Sequence, residues 1–318
     1  MIEIEKVMRK TIISVTIIAL ALVLSACGQK KDEWVPTTGA KVDLSVSIQS
    51  ASPATKTYLV QDGDHLYARW SADDRLNLFF DSWEDGANPA LSMPNSSENE
   101  DVALFEGMVR EILDGSHKVY AYSAVAGFKA AKGERKLSFN LPEVQTSGDG
   151  TYDPTVDIVV NRAYHLVVKE SKPEAVISDM RFLRPLATVI VKVNNKTSKN
   201  LSAEKINKIT LQSDANVVLS GNLQWDFDTE AVTPLSGSPT VTANLSKPQA
   251  IDGTSFSYML TCPVTLPQGS TMKVTFETEH YRIVKTSANL ANDFSFPSNK
   301  ITSLVVNLNE DDTQIQNK

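Results

Sequence analysis

Strict alternation of apolar and polar residues marks the first structured segment of the chain. The apolar positions are every second residue: Val42, Leu44, Val46 and Ile48. Because successive side chains of a strand point to opposite faces, this period of two predicts a half-buried strand over residues 42–48. Residues 51–57 (ASPATKT) are small or turn-forming, so the strand is expected to end before them.

Similar patterns recur at short spacing along the rest of the chain. The segments predicted as strands are 75–80, 136–141, 156–160, 166–168, 188–193, 209–211, 272–278 and 301–308. Clusters rich in Gly, Ser, Asp and Pro lie between them, such as SGDG at 147–150 and PQGS at 267–270. Many short strands joined by such turns predict an all-β protein built from β-sandwiches.

Residues 101–113 fit two structures. Apolar residues lie four apart, Leu104 with Met108 and Phe105 with Val109, as on one face of an amphipathic helix. Gly107 inside the segment disfavours a helix by about 1 kcal/mol. The sequence leaves helix and strand open here.

A charged stretch with Pro173, residues 169–178, separates two runs of predicted strands. The predicted organisation is therefore an N-terminal β-sandwich over 41–172 and a C-terminal one over 173–318. Both would have an ordinary domain size.

The first 26 residues have the pattern of an export signal. Basic residues precede an uncharged apolar run over 11–26, which is shorter than the roughly 20 residues of a spanning helix. The run ends in Leu24-Ser25-Ala26-Cys27, which resembles the bacterial lipobox. The resemblance implies removal of a signal peptide, 1–26, and acylation of Cys27 with fatty acids such as palmitate, with 27–40 as a tether. An ordinary signal peptide or a single-span anchor is the alternative.

The residues after Cys27 form a second targeting pattern. Residues 28–33 (GQKKDE) place basic residues before acidic ones and resemble the surface-export signal of Bacteroidota lipoproteins. The resemblance implies a lipid-anchored protein on the outer face of the outer membrane. A solvated polar tether is the alternative.

Composition excludes several classes of function. The 318 residues carry a formal net charge of −7, so the positive surface that nucleic acids require is missing, and we predict no nucleic-acid partner. Two cysteines, Cys27 and Cys262, exclude a disulfide-stapled scaffold. The four histidines are scattered, and no known catalytic or metal motif occurs. We therefore predict no metal, no cofactor and no catalytic residue, and expect Cys262 to be a buried thiol.

Two further classes stay open. Trp70, Trp83 and Trp225 could stack on sugars in a monomeric surface lipoprotein that binds a glycan or host ligand. Acidic pairs such as Asp73-Asp74 and Asp311-Asp312 could act as glycosidase carboxylates, but they lie among Ser, Asn or Gly, which favours solvated loop charge.

Short landmarks then occur in one order along nearly the whole chain. They are RWSADDRLNLF (69–79), FEG (105–107), YAY (120–122), FNLPEVQ (139–145), GTY (150–152), FLRPLA (182–187), LSG (219–221) and YMLTCP (258–263). Together with the lipobox, they resemble the fimbrillin superfamily of Bacteroidales. The resemblance implies two consecutive transthyretin-like β-sandwich domains and a non-enzymatic, structural or adhesive pilus component.

The resemblance also implies a route of assembly. In polymerising members, a protease cuts after a basic residue behind the first strand, and the groove left by that strand accepts a strand from the next subunit. Here the basic residue would be Lys56, and the displaced strand would be Val42, Leu44, Val46 and Ile48 with their neighbours. The donor would be 301–308, whose alternating residues are Leu304, Val306 and Leu308, unless this is simply the last strand of the second sandwich.

Lys56 departs from the family, whose members often have Arg at this position. An uncleaved pilus anchor therefore stays an alternative. The implied partners are other pilus subunits in head-to-tail contact, outer-membrane lipid through Cys27, and a host or bacterial surface ligand.

Overall fold

The computed structural model describes residues 41–49, 58–62, 65–69, 74–80, 90–92, 102–110, 114–124, 129–131, 135–148, 150–161, 164–168, 176–177 and 182–318. Residues 39–318 form one compact unit. The described residues consist of strands and turns without a helix, which confirms the predicted all-β class. No helix long and apolar enough to cross a membrane occurs in this part of the chain.

The described residues form 26 strands. The first thirteen are β1 (Lys41–Gln49), β2 (Tyr58–Asp62), β3 (His65–Arg69), β4 (Arg75–Phe80), β5 (Ala90–Ser92), β6 (Val102–Arg110), β7 (Gly115–Ala124), β8 (Lys129–Ala131), β9 (Lys136–Leu141), β10 (Val144–Ser147), β11 (Ile158–Asn161), β12 (Tyr164–Val168) and β13 (Val176–Ile177). The next thirteen are β14 (Phe182–Leu183), β15 (Ala187–Asn195), β16 (Lys205–Ser213), β17 (Ser220–Asp226), β18 (Ala231–Ser238), β19 (Thr240–Ala250), β20 (Asp252–Thr261), β21 (Val264–Leu266), β22 (Met272–Glu277), β23 (Tyr281–Thr286), β24 (Phe294–Phe296), β25 (Ile301–Leu308) and β26 (Thr313–Asn317).

Four sheets contain most of these strands. The large sheet has the order β13-β1-β6-β5-β4-β7-β11-β14, with β12 also paired to β7. The six-stranded sheet has the order β10-β19-β16-β22-β23-β26, the three-stranded sheet β20-β15-β25, and the four-stranded sheet β18-β17-β9-β8. Two further pairs, β2–β3 and β21–β24, complete the description.

The ambiguous segment 101–113 contains strand β6, so the helix alternative is wrong. Strand β6 pairs antiparallel with β1 along its full length, from Lys41 opposite Arg110 to Gln49 opposite Val102. Phe105 is fully buried, whereas Leu104 is 41% and Met108 57% exposed. A spacing of four residues returns to the same face in a strand as well as in a helix, which is why the sequence alone could not decide.

The three-stranded sheet separates two hydrophobic cores. One core lies between this sheet and the six-stranded sheet and contains Val189 and Val191 of β15. The other lies against the four-stranded sheet and strands β7 and β11, and it contains Ile190 of β15 and Trp225 of β17. Because the first part of β15 is buried on both faces, Val189, Ile190 and Val191 are consecutive apolar residues rather than alternating ones.

Strands from both sides of the predicted boundary at 172/173 share sheets. Strand β9 pairs with β17, and β10 runs parallel to β19. The buried Gln145 amide extends this link to β20, because its Nε2 donates to the Leu260 carbonyl at 2.7 Å and its Oε1 accepts the Leu260 N–H at 2.9 Å. The division into domains at this boundary stays a prediction.

Candidate functional site

The predicted displaced strand corresponds to β1, which lies next to the end of the large sheet. Strand β6 pairs with it on one side over nine residues. On the other side its one partner among the described residues is the two-residue strand β13, which pairs with it in parallel at Ser45 and Val46. In the described part of the chain, β1 is therefore paired over nine residues along one edge and over two along the other.

The register of β1 links the predicted apolar face to the core. Val46 lies opposite Phe105, and Leu44 lies opposite Gly107. In an antiparallel pair, residues directly opposite each other share one face of the sheet. Phe105 is fully buried. If β1 were lost, Phe105 would lose the strand beside it, and the β6 backbone edge that pairs with β1 would be left unpaired.

The predicted donor strand is β25, which pairs in parallel with β15 of its own chain over eight residues. Val306 and Leu308 are buried in the core between the three- and six-stranded sheets, and Leu304 packs against that core. In this structure β25 is thus an integrated strand of the second half. Its role as a donor stays a prediction, as do acylation at Cys27 and cleavage at Lys56, both of which lie outside the described residues.

Two of the sequence landmarks meet in a buried ionic cluster. Arg184 Nε donates to Asp157 Oδ1 at 2.7 Å, and Arg184 Nη2 donates to Asp157 Oδ2 at 3.0 Å, a bidentate pair with almost no exposure. The Tyr152 hydroxyl donates to Asp157 Oδ2 at 3.0 Å, and the guanidinium lies 4.9 Å from the centre of the Tyr152 ring. The landmarks GTY and FLRPLA therefore contribute to one structural site.

Burial dominates the proton affinities in this cluster. Desolvation raises the pKa of Tyr152 well above its ordinary value. The hydroxyl therefore stays protonated and can donate a hydrogen bond to Asp157. Desolvation also raises the pKa of the Asp157 carboxyl, against the opposing attraction of the Arg184 guanidinium. Each polar group here depends on the others for its hydrogen bonds.

The cluster also ties distant segments together. The Arg184 backbone N–H donates to Asn299 Oδ1 at 3.1 Å, and the Ser298 hydroxyl donates to the Arg184 carbonyl at 3.2 Å. Asp157 was not among the residues that the sequence analysis selected. The sequence did contain a signal for this pair: VDIVV and FLRPL each have one charged residue inside an apolar run. A charge buried in this way requires a partner, so two such segments indicate an ion pair.

Cys262 is the buried thiol that the sequence predicts. Its side chain lies in the core with Trp225 and Tyr258, and burial raises its pKa to about 12. At pH 8 a thiol with this pKa is a thiolate in only about one molecule in ten thousand. Since the thiolate is the nucleophile, this environment does not support covalent catalysis.

Cys262 is expected to resist alkylation in the folded protein. In a shortened chain that begins at Gly28 and so lacks Cys27, it is the only thiol. Incubation with a thiol-reactive dye at pH 8 should label almost none of the native protein within an hour and one thiol per chain in denaturant. Rapid labelling of the native protein at the same pH would contradict its placement in the core.

Asp153, Asp157 and Asp312 make hydrogen bonds or ion pairs, whereas the candidate Asp73 lies outside the described residues. Asp153 and Asp157 are the buried carboxylates of the described residues, and Asp153 accepts the N–H groups of Thr146 and Thr155 at 2.7 and 2.9 Å. The exposed Asp312 pairs with Lys285. No group of three or more potential metal-binding side chains occurs in the described part of the chain.

Trp225 is a core residue. Only 1% of its surface is exposed, and it packs edge-to-face against Phe227 at 6.3 Å between ring centres. Sugar stacking by Trp225 is therefore excluded in this conformation. Trp70 and Trp83, the other two candidates, lie outside the described residues.

The chain matches no known family model and no curated protein. Among solved structures, it is similar to a candidate cell adhesion protein from Bacteroides uniformis, with 12% identity and a TM-score of 0.53, covering 89% of this chain and 98% of the other. A candidate cell adhesion protein from Bacteroides fragilis gives 8% identity and a TM-score of 0.49, covering 87% and 98%. A fimbrial protein from Bacteroides vulgatus gives 13% and 0.40, covering 78% and 92%.

Only the first similarity carries an argument about the fold, because the other two have TM-scores below 0.5. That similarity covers 89% of this chain and 98% of the other. The chain therefore shares the fold of this Bacteroides protein.

Proposed function

We propose that this chain is a non-enzymatic, fimbrillin-like surface lipoprotein and a structural or adhesive subunit of a pilus. It is anchored to outer-membrane lipid through Cys27. It joins other subunits head to tail after a protease cuts behind β1, when a strand from the next subunit replaces β1 against β6.

The position of β1 is the observation that carries this proposal. Within the described residues, β1 has one long partner, β6, and one two-residue partner, β13. Its departure would detach β13 but leave the pairings from β6 to β14 intact. Its departure would create a strand-shaped groove with an unpaired backbone edge on β6, and another strand can fill such a groove by β-augmentation. Contacts of this kind join two different surfaces, so they give fibres when the rotation between subunits does not close a ring.

Cleavage after Lys56 is expected to convert the soluble chain from a monomer to oligomers and fibres. Lys56 is the only basic residue between β1 and β2, so limited digestion with trypsin should release β1 from the body of the protein. Size-exclusion chromatography and electron microscopy before and after digestion measure the change.

Lys56→Gln should stay monomeric after the same digestion. Lys300→Gln, which removes the same charge from an exposed residue before β25, should assemble as the parent does. If the cut product loses β1 and stays monomeric, and the uncut chain is also absent from isolated fibres, the pilus proposal is wrong. Uncut chain found within fibres would identify it as an anchor.

A further inference from the structure

Strand β25 ends the three-stranded sheet, and one of its two edges has no strand partner among the described residues. The other edge pairs with β15, where the Thr188 N–H donates to the Lys300 carbonyl at 3.0 Å and the Lys196 N–H donates to the Leu308 carbonyl at 2.8 Å. Even-numbered residues of β25 therefore direct their backbone groups towards β15. Because backbone groups alternate in direction along a strand, the odd-numbered residues direct theirs away from it.

Four residues form this outward edge: Ile301, Ser303, Val305 and Asn307. Their backbone N–H and C=O groups have no hydrogen-bond partner within the part of the chain that the structure describes. Their side chains are exposed, and Val305 is 57% exposed. Each residue thus presents a donor and an acceptor to an incoming strand.

Strand β25 also lacks the usual protection of a sheet edge. Natural edge strands are short, charged, bulged or interrupted by Pro, which prevents pairing with other chains. Three other edge strands follow that rule, since β26 has five residues, β8 has three and β18 contains Pro234. Strand β25 has eight residues with neither a charge nor a Pro.

A groove runs beside this edge. Its cavity has a volume of about 310 Å³ and lies between β25 and the strands β22 and β23 of the facing sheet. Apolar side chains of Met272, Val274 and Leu304 contribute to its lining. The one cationic residue in the lining, Lys285, is already paired with Asp312.

We propose that the β25 edge and this groove form a second strand-acceptor site, distinct from the one at β6. Its occupant is an extended segment of another polypeptide, uncharged over most of its length and apolar at every second residue. The backbone of that segment pairs with residues 301, 303, 305 and 307. Its apolar side chains enter the groove over Met272 and Val274, where a charged side chain would have no free counter-charge. The site exists in the uncleaved chain and does not depend on the departure of β1.

The probe is a synthetic, dye-labelled peptide with the sequence of residues 41–49 (KVDLSVSIQ), because it has this chemistry. It is titrated against the uncleaved chain beginning at Gly28, which retains the whole compact unit, with fluorescence anisotropy as the readout. Saturable binding is expected, together with slower amide hydrogen exchange at Ser303, Val305 and Asn307. Binding should weaken at least tenfold in Ser303→Pro, which removes an outward N–H that β15 does not use, and in Val305→Lys.

Leu235→Lys is the matched control, because Leu235 on the β18 edge is also 57% exposed. It should bind the peptide as the parent does. Thermal melting checks that each variant is folded. Failure of the parent to bind the peptide would overturn the proposal, and so would equal binding by all three variants, since the peptide would then occupy β6 or another surface. The proposal would also be overturned if the uncleaved chain associated with itself and Val305→Lys abolished that association. The occupant would then be the β25 edge of a second copy.

Discussion

Asp157→Asn is expected to lower the free energy of unfolding by about 3–5 kcal/mol, because it leaves the Arg184 guanidinium buried without a counter-charge. Both residues are almost completely buried, and two direct hydrogen bonds of 2.7 and 3.0 Å join them. The asparagine has nearly the same shape, so the loss reports on charge and hydrogen bonding rather than on a cavity. Urea denaturation followed by tryptophan fluorescence measures it.

An exposed ion pair provides the control for this result. Asp228 pairs with Arg135 at 2.7 Å, but both side chains are more than 40% exposed. Asp228→Asn should therefore change the free energy of unfolding by less than about 1 kcal/mol. The double variant Asp157→Leu, Arg184→Met should recover much of the loss, since it removes the buried charge altogether. Equal losses in Asp157→Asn and Asp228→Asn would show that the buried cluster adds nothing.

Gly221→Ala is expected to destabilise the protein by about 3–5 kcal/mol, or to prevent folding. Gly221 has a φ of +138°, a conformation that residues with a side chain rarely adopt. A Cβ atom there would lie 2.3 Å from the Ser236 carbonyl oxygen and 2.4 Å from the Cα of Gly237. Because both obstacles are backbone atoms of the paired strand β18, neither can move without opening the β17–β18 ladder.

A second glycine separates the two causes of this loss. Gly269 has a φ of +86°, but nothing lies within 4 Å of the position that a Cβ would occupy. Gly269→Ala should therefore cost only the backbone strain, about 1–2 kcal/mol. Thermal and urea denaturation of both variants give the comparison. A loss in Gly221→Ala no larger than that in Gly269→Ala would contradict the close approach of β17 and β18.

Local alternation predicted those strands that have one buried and one exposed face. The bounds predicted at Arg75–Phe80, Lys136–Leu141 and Ile301–Leu308 coincide with β4, β9 and β25. Strand β18 could not be recognised in this way. Its residues are mostly exposed on both faces, so backbone pairing to β17 defines it and its side chains give no pattern.

The candidate sites could be predicted only where one segment carries the whole signal. Alternation over 42–48 predicted the strand β1, but its weak outer pairing with β13 depends on residues about 130 positions later in the chain. Likewise, Asp157 and Arg184 are ordinary charged residues in the sequence. Only the fold shows that each is the other's partner, and that the LSG landmark reflects the contact of Gly221 with Gly237.

The sharing of sheets between early and late strands has a consequence for how the chain folds. Ser138 of β9 contacts a partner 86 positions later, and Gln145 of β10 contacts one 115 positions later. Pairings between such distant residues are slow to form, because a long loop must close before any contact compensates for its entropy. The core around Trp225 and Tyr120 therefore cannot be completed until most of the polypeptide has been synthesised.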